Sequence, residues 1–145
     1  MVTPVTTIVL PFPPSVNHYY RRTRSGQVFL GPQAVAFRER VHAEWLARSW
    51  MPLECPISLE IRAFRPRVVG DIDNCLKACL DALNRRYFVD DRQVVRLLVH
   101  LDHDPACPRL EVTIECVEAA PVRRRRPARA VLPAPGKRKP ALPRG

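Results

Sequence analysis

Asp71, Asp73 and Asp91 are the residues whose types and spacing most plainly invite chemistry. Asp71-Ile72-Asp73-Asn74 opens a segment in which Ile72, Cys75, Leu76, Cys79, Leu80 and Leu83 trace one helical stripe, the clearest periodicity in the chain. Asp73, Lys77 and Asp81 advance by four along the opposite side, at ~40° offsets for a 3.6-residue turn. After a short link, Asp90-Asp91 opens an apolar run. Carboxylates gathered at one point repel unless a cation lies between them. Hard Mg²⁺ takes one or two carboxylates with water and phosphate oxygens. An ion so held activates water and stabilises a phosphodiester transition state, and Lys77 would neutralise the attacked phosphate or orient the water. Asp71, Asp73, Asp91 and Lys77 are therefore a coherent nuclease set.

Ordinary structure accounts for the same residues. Asp71 at an N-cap and Asp73 in a first turn are favoured by capping and by the helix dipole. Asp73 and Lys77 make an i,i+4 pair, and Asp90-Asp91 suits a turn. The next strand brings Asp91 back to the helix start only if it runs beside the helix's N-terminal end.

The elements that must position these residues are read from periodicity. Thr6–Leu10 is a β-prone run stopped by Pro11-Phe12-Pro13-Pro14, which blocks ladder donors and helix alike. Ser15 to Gly26 is polar, aromatic and basic, a loop, with a short strand expected at Gln27–Leu30. Ala34, Phe37, Val41 and Trp45 recur at spacings of three and four, predicting a helix from Pro32 that ends before Pro52. Ile57, Leu59, Ile61 and Ala63 alternate with Ser58, Glu60, Arg62 and Phe64, the period of a half-buried strand. Val94, Val95, Leu97, Leu98, Val99 and Leu101 are nearly continuous, the pattern of a central strand covered on both faces. Leu110, Val112, Ile114 and Cys116 alternate with Glu111, Thr113 and Glu115, a strand with one wet face. The order β, loop, α, β, α, β, β predicts a single α/β (α+β) domain with a mixed sheet and two main helices.

The 145 residues carry 24 Lys+Arg against 14 Asp+Glu, a formal charge of +10 that is unevenly placed. From Ala119 to Gly145 there are nine basic residues, no acid and six of the sixteen prolines. Such a segment cannot bury enough surface to offset its ordering entropy, so 119–145 is expected to be a disordered tail. It is either a solvated bystander or a source of weak non-specific DNA affinity through counterion release. The body, residues 1–118, is left at +1, so its acids rather than its net charge indicate its chemistry.

The five cysteines include no CxxC pair, and the N-terminus lacks the pattern of a signal peptide, which predicts a soluble cytoplasmic protein with reduced thiols. Cys75 and Cys79 lie within the apolar stripe and read as core; no zinc site is expected. No stretch approaches the ~18 apolar residues of a membrane span.

Three blocks carry a family resemblance. They are Pro13-Pro14-Ser15-Val16-Asn17-His18-Tyr19-Tyr20-Arg21, then Asp71-Ile72-Asp73-Asn74 with Lys77 and Asp81-Ala82-Leu83, then Asp90-Asp91-Arg92-Gln93-Val94-Val95. In that order, over residues 6 to 117, the chain resembles the RusA family of Holliday-junction resolvases. The resemblance implies a homodimeric, Mg²⁺-dependent endonuclease, with Mn²⁺ as a substitute, that cuts four-way DNA junctions by paired symmetric nicks in recombination and repair. It implies no small-molecule organic cofactor and no membrane partner. The family's essential aspartates fall on Asp71, Asp73 and Asp91 and its functional lysine on Lys77, with Asn74 and Asp90 as accessories. A two-fold dimer offers equivalent sites to opposing strands. The chain departs from the family at Val68-Val69-Gly70, where a basic run is usual, in a slightly short link to Asp90-Asp91, and in its basic tail.

Asn17, Tyr19, Tyr20, Arg21, Arg22 and Arg24 interleave cations with aromatics, and with Arg65 and Arg67 they form the expected DNA-binding set. The cations would meet phosphates and the tyrosines would stack on bases exposed at the junction centre. A solvated loop whose tyrosines pack on the body has the same composition. Two rival functions fit the residues: a non-catalytic structured-DNA-binding protein, and a nuclease acting on a broader range of branched DNA.

Overall fold

The structure, a computed structural model, describes residues 5–118. In chain order the elements are β1 (Val5–Pro11), α1 (Val16–Tyr19), β2 (Tyr20–Arg22), β3 (Val28–Leu30), α2 (Pro32–Arg48), β4 (Ile57–Arg65), α3 (Asp73–Leu83), β5 (Val94–His103) and β6 (Arg109–Cys116). A 3₁₀ turn at Asp91–Gln93 leads into β5. The main sheet has the order β1-β6-β4-β5, with β4 and β5 parallel and the other pairs antiparallel. The mixed sheet, the single α+β body and the short strand expected at Gln27–Leu30, here β3, are as the sequence predicts; α1, one turn long, and β2, which pairs with β3, are additions.

Alternation decides which face is buried. Ile57, Leu59, Ile61 and Ala63 of β4, Leu110, Val112 and Ile114 of β6, and Ile8 and Leu10 of β1 all point to one side. Ala34, Phe37 and Val41 of α2 and Cys75, Ala78, Cys79, Ala82 and Leu83 of α3 join them in the same core. Full burial of such a Leu or Ile is worth about 1.5–3 kcal/mol. The opposite face is wet and carries the pairs Thr7–Thr113, Glu60–His100 and Arg62–Asp102.

Three expectations are corrected. β5 is an edge of the sheet, opposite β1, with Val95 59%, Leu97 41% and Leu98 49% exposed; its apolar run does not reflect cover on both faces. Asp71 is no helix cap: Ile72 holds that position and no side chain caps α3. The thiols are not all reduced, since Cys55 and Cys116 form a disulfide with Cα atoms 5.8 Å apart, brought together where β6 pairs with the start of β4. The expected tail, 119–145, lies outside the described residues.

Candidate active site

The predicted carboxylates lie at two ends of the parallel β4–β5 pair. Ile57 sits beside Val94 and Arg65 beside His103. The chain leaves β4 at Arg65, turns through Val68, Val69 and Gly70, and runs back along α3 toward the beginning of β5. Asp71 and Asp73 are therefore at the Arg65 end, and Asp91, just before Val94, is at the Ile57 end. The nine residues of β4 put the two ends about 26 Å apart, at roughly 3.3 Å per residue.

At the Arg65 end, Gly70 turns the chain at φ +94°, where a side chain would be strained. Arg65 braces this turn, donating from Nη1 to the Gly70 carbonyl at 3.3 Å and from Nε to the Asp102 carbonyl at 3.5 Å. Asp71 follows directly and lines a cleft of about 210 Å³ together with Arg65, Arg67, Asn74 and Ser15. Asp71 and Asp73 are exposed, and neither carboxylate joins an ion pair among the described residues. Val68 and Val69, in place of basic residues, are 68% and 70% exposed.

The polar side of α3 holds the aromatic–basic loop. Asn74 Oδ1 accepts from the Val16 N–H at 3.0 Å. Tyr20 Oη donates to Asp81 Oδ2 at 2.6 Å, and Lys77 Nζ lies 3.5 Å from the same oxygen and 5.5 Å from the centre of the Tyr20 ring. Burial, reinforced by the bond to Asp81, pushes the Tyr20 hydroxyl pKa up to about 12. Tyr19 is only 1% exposed, so its ring has no face to offer a base. Tyr20 is half-buried against it, whereas Asn17, Arg21, Arg22 and Arg24 are exposed, where they can meet phosphates.

At the Ile57 end, Asp90 works as a cap. Its Oδ1 accepts from the Arg92 N–H at 2.9 Å, and the Gln93 side chain accepts from the Asp90 N–H at 2.8 Å. The Arg92 N–H, followed by Asp91, holds the Asp90 carboxyl below the usual range. Gln93 Nε2 also donates to the carbonyls of Leu53 and Cys55 at 2.8 and 2.9 Å, fastening the turn to the segment that leads into β4. This role was missed in the sequence, although Asp90-x-x-Gln93 has the spacing of a capping box. Asp91 is exposed beside it.

Among the described residues, no group of three or more His, Cys, Asp or Glu side chains converges to hold a metal. Asp71 and Asp73 supply two unengaged hard-oxygen donors, a set that suits Mg²⁺ when water and phosphate complete its shell. Asp91 of the same chain lies outside that set.

A family model described as Endodeoxyribonuclease RusA matches residues 11–115, from the proline run through both acidic ends to β6. The chain belongs to the RusA family. The crossover junction endodeoxyribonuclease RusA of Escherichia coli K12 is 36% identical over 112 residues, covering 74% of this chain and 92% of that protein. The enzyme of the same name from Enterobacteria phage 82 is 37% identical over 111 residues, covering 74% and 91%. That of Shigella sonnei is 35% identical over 112 residues, covering 74% and 92%. The RusA match stops short of the basic segment from 119 onward.

Proposed function

We propose that this chain is a metal-dependent endodeoxyribonuclease that resolves four-way (Holliday) DNA junctions by paired symmetric nicks, in recombination and repair, as a cytoplasmic homodimer. The observation that carries this reading is the pair of unengaged carboxylates, Asp71 and Asp73, beside a cleft lined by Arg65 and Arg67, in a chain whose relatives are named crossover junction endodeoxyribonucleases. Mg²⁺ or Mn²⁺ bound there supplies an activated water and positive charge for the phosphodiester transition state. Asp71 and Asp73 hold the ion, and Arg67 attracts the strand. Lys77, one turn along α3, releases Asp81 for a phosphate oxygen at little cost, because an exposed ion pair is worth only ~0–1 kcal/mol.

The distant third carboxylate supports a two-fold assembly. β5 offers ten residues of edge with apolar side chains in solvent, the kind of edge that pairs with another strand. In an antiparallel pairing of two β5 strands about a two-fold at Val99, Leu97 faces Leu101 of the second copy. Arg96 then faces Asp102 of the second copy, joining opposite charges. The same pairing carries the Asp91 end of each strand toward the Asp71–Asp73 end of the other. Each of two equivalent sites then draws Asp91 from the second copy.

The test compares a labelled four-way junction with linear duplex in Mg²⁺, Mn²⁺ or EDTA, beside Asp73→Asn. Symmetric nicks confined to wild type with metal are expected. Cutting that persists in EDTA or in the Asn variant refutes the metal mechanism. Binding without any cutting identifies a structured-DNA binder, and equal cutting of flaps and forks identifies a broader nuclease.

A further inference from the structure

On the helical side of the molecule, α2, Tyr20 and the end of α3 enclose an open groove of about 550 Å³ whose walls include Arg38, His42, Trp45, Arg85 and Arg86. None of its three arginines forms an ion pair among the described residues. Arg86 is half-buried, donates from Nη1 to the Ala82 carbonyl at 3.1 Å and from Nε to His42 Nδ1 at 3.3 Å, and faces Arg38. Burial, and then the Arg38 charge, lower its pKa. Asp81, the one acid in the groove wall, is already bonded to Tyr20 and paired with Lys77. Like charges gathered without a counter-charge favour an anion.

Two further observations point the same way. Trp45 Nε1, a hydrogen-bond donor, is buried in the groove wall without a partner, and orphaned polar atoms are uncommon in folded proteins. Arg85 has φ +63°, at the third position of a turn closed by Arg86 N–H to the Leu83 carbonyl at 3.1 Å. Glycine is the usual residue in that conformation. An arginine held there at a cost in strain implies that its side chain is used.

We infer that this groove is a second phosphate-binding surface, which grips the phosphodiester backbone of a DNA arm away from the point of cutting. The end of α3 at Leu83, two residues before Arg85, lies about 15 Å from Asp73 at ~1.5 Å per residue. That is roughly four base pairs along a duplex at ~3.4 Å per step. The groove therefore holds an arm rather than the scissile phosphate. The assignment rests on the junction-nuclease reading above.

The experiment follows the anisotropy of a labelled four-way junction and of a linear duplex in EDTA, with full-length wild type, Arg38→Ala, Arg85→Gly and the double variant. Each single change should weaken binding of both DNAs about tenfold, the weight of one charge-assisted contact. The double change should reduce the slope of log K against log salt by about 1.8, at ~0.9 per phosphate contact. Arg85→Gly should leave the melting temperature unchanged or higher, since glycine adopts φ +63° without strain, which separates a lost contact from a lost fold. Unchanged affinity and slope in the double variant overturn the groove and leave the nuclease reading intact. Weakened binding in a protein that never cuts supports the groove while overturning the nuclease. Wild type that binds neither DNA overturns both.

Discussion

Asp73 and Asp91 stand at opposite ends of the parallel β4–β5 pair, with the length of α3 between them. A crossover helix that joins two parallel strands must return the chain to the end from which the first strand began. The separation of these two acids thus follows from the topology itself, and a site that uses both must draw on two chains.

Mixing two inactive variants tests that consequence. Asp71→Asn and Asp91→Asn should each lose about 10²–10³-fold in junction cutting, the scale seen when a transition-state stabilising group is removed. Subunit exchange between them should restore activity, because a heterodimer contains one site with every aspartate intact. Its product should be a singly nicked junction, scored on a denaturing gel. If the mixture stays as dead as its parents, Asp71 and Asp91 do not meet across subunits.

The β5 edge gives an assembly prediction. Leu97→Lys with Leu98→Lys should turn a dimer into a monomer by light scattering and abolish cutting. The melting temperature of the monomer should change little, since exposed substitutions usually shift stability within ~0.5 kcal/mol. Val99→Cys in a Cys107→Ser background should cross-link to its own copy under mild oxidation. A fully active dimer carrying both lysines would place the interface elsewhere.

Tyr20 and Asp81 predict a pH dependence. The folded Tyr20 hydroxyl, at about 12, holds its proton more tightly than the ordinary value of 10.0. Its contribution to stability is complete below pH 10 and is lost as the pH climbs toward 12. Tyr20→Phe should cost about 1.5 kcal/mol at neutral pH and flatten the alkaline decline. Denaturation midpoints read across that range check it; parallel curves for the two proteins would show that the Tyr20–Asp81 bond contributes nothing.

The cysteines predict a thiol count. Protein purified without reductant should show one reactive thiol when native, Cys107, and three in denaturant, when buried Cys75 and Cys79 are released. Reduction should raise the count to five. Cys55 and Cys116 close a 61-residue separation, so Cys55→Ser with Cys116→Ser should lower stability by about 4 kcal/mol in the chain-entropy account. Five thiols titrating in denaturant alone would show that the bridge does not form.

Much of the local structure was legible in the order of residues. Alternation in Ile57–Ala63 and Leu110–Cys116 marks strands, and the stripe from Ile72 to Leu83 marks α3, because burial on one face imposes its period on the sequence. The chemical types at Asp71, Asp73, Lys77 and Asp91, and their order with the loop near Tyr20, carry the family. What the sequence left open depends on contacts between distant segments. The Val94–Leu101 run reads as a covered central strand, yet it is an edge, because an apolar run has the same pattern whether its own chain or another covers it. Cys55 finds Cys116 only through the β4–β6 pairing. Arg38 and Arg86, far apart in sequence, share a groove only once α2 lies beside the end of α3. The sequence by itself determined which residues could do the chemistry and which faces they occupy, since those follow from side-chain type and local period. Tertiary structure alone decided that Asp73 and Asp91 lie apart, because strand order and chain direction set distances that no local spacing encodes.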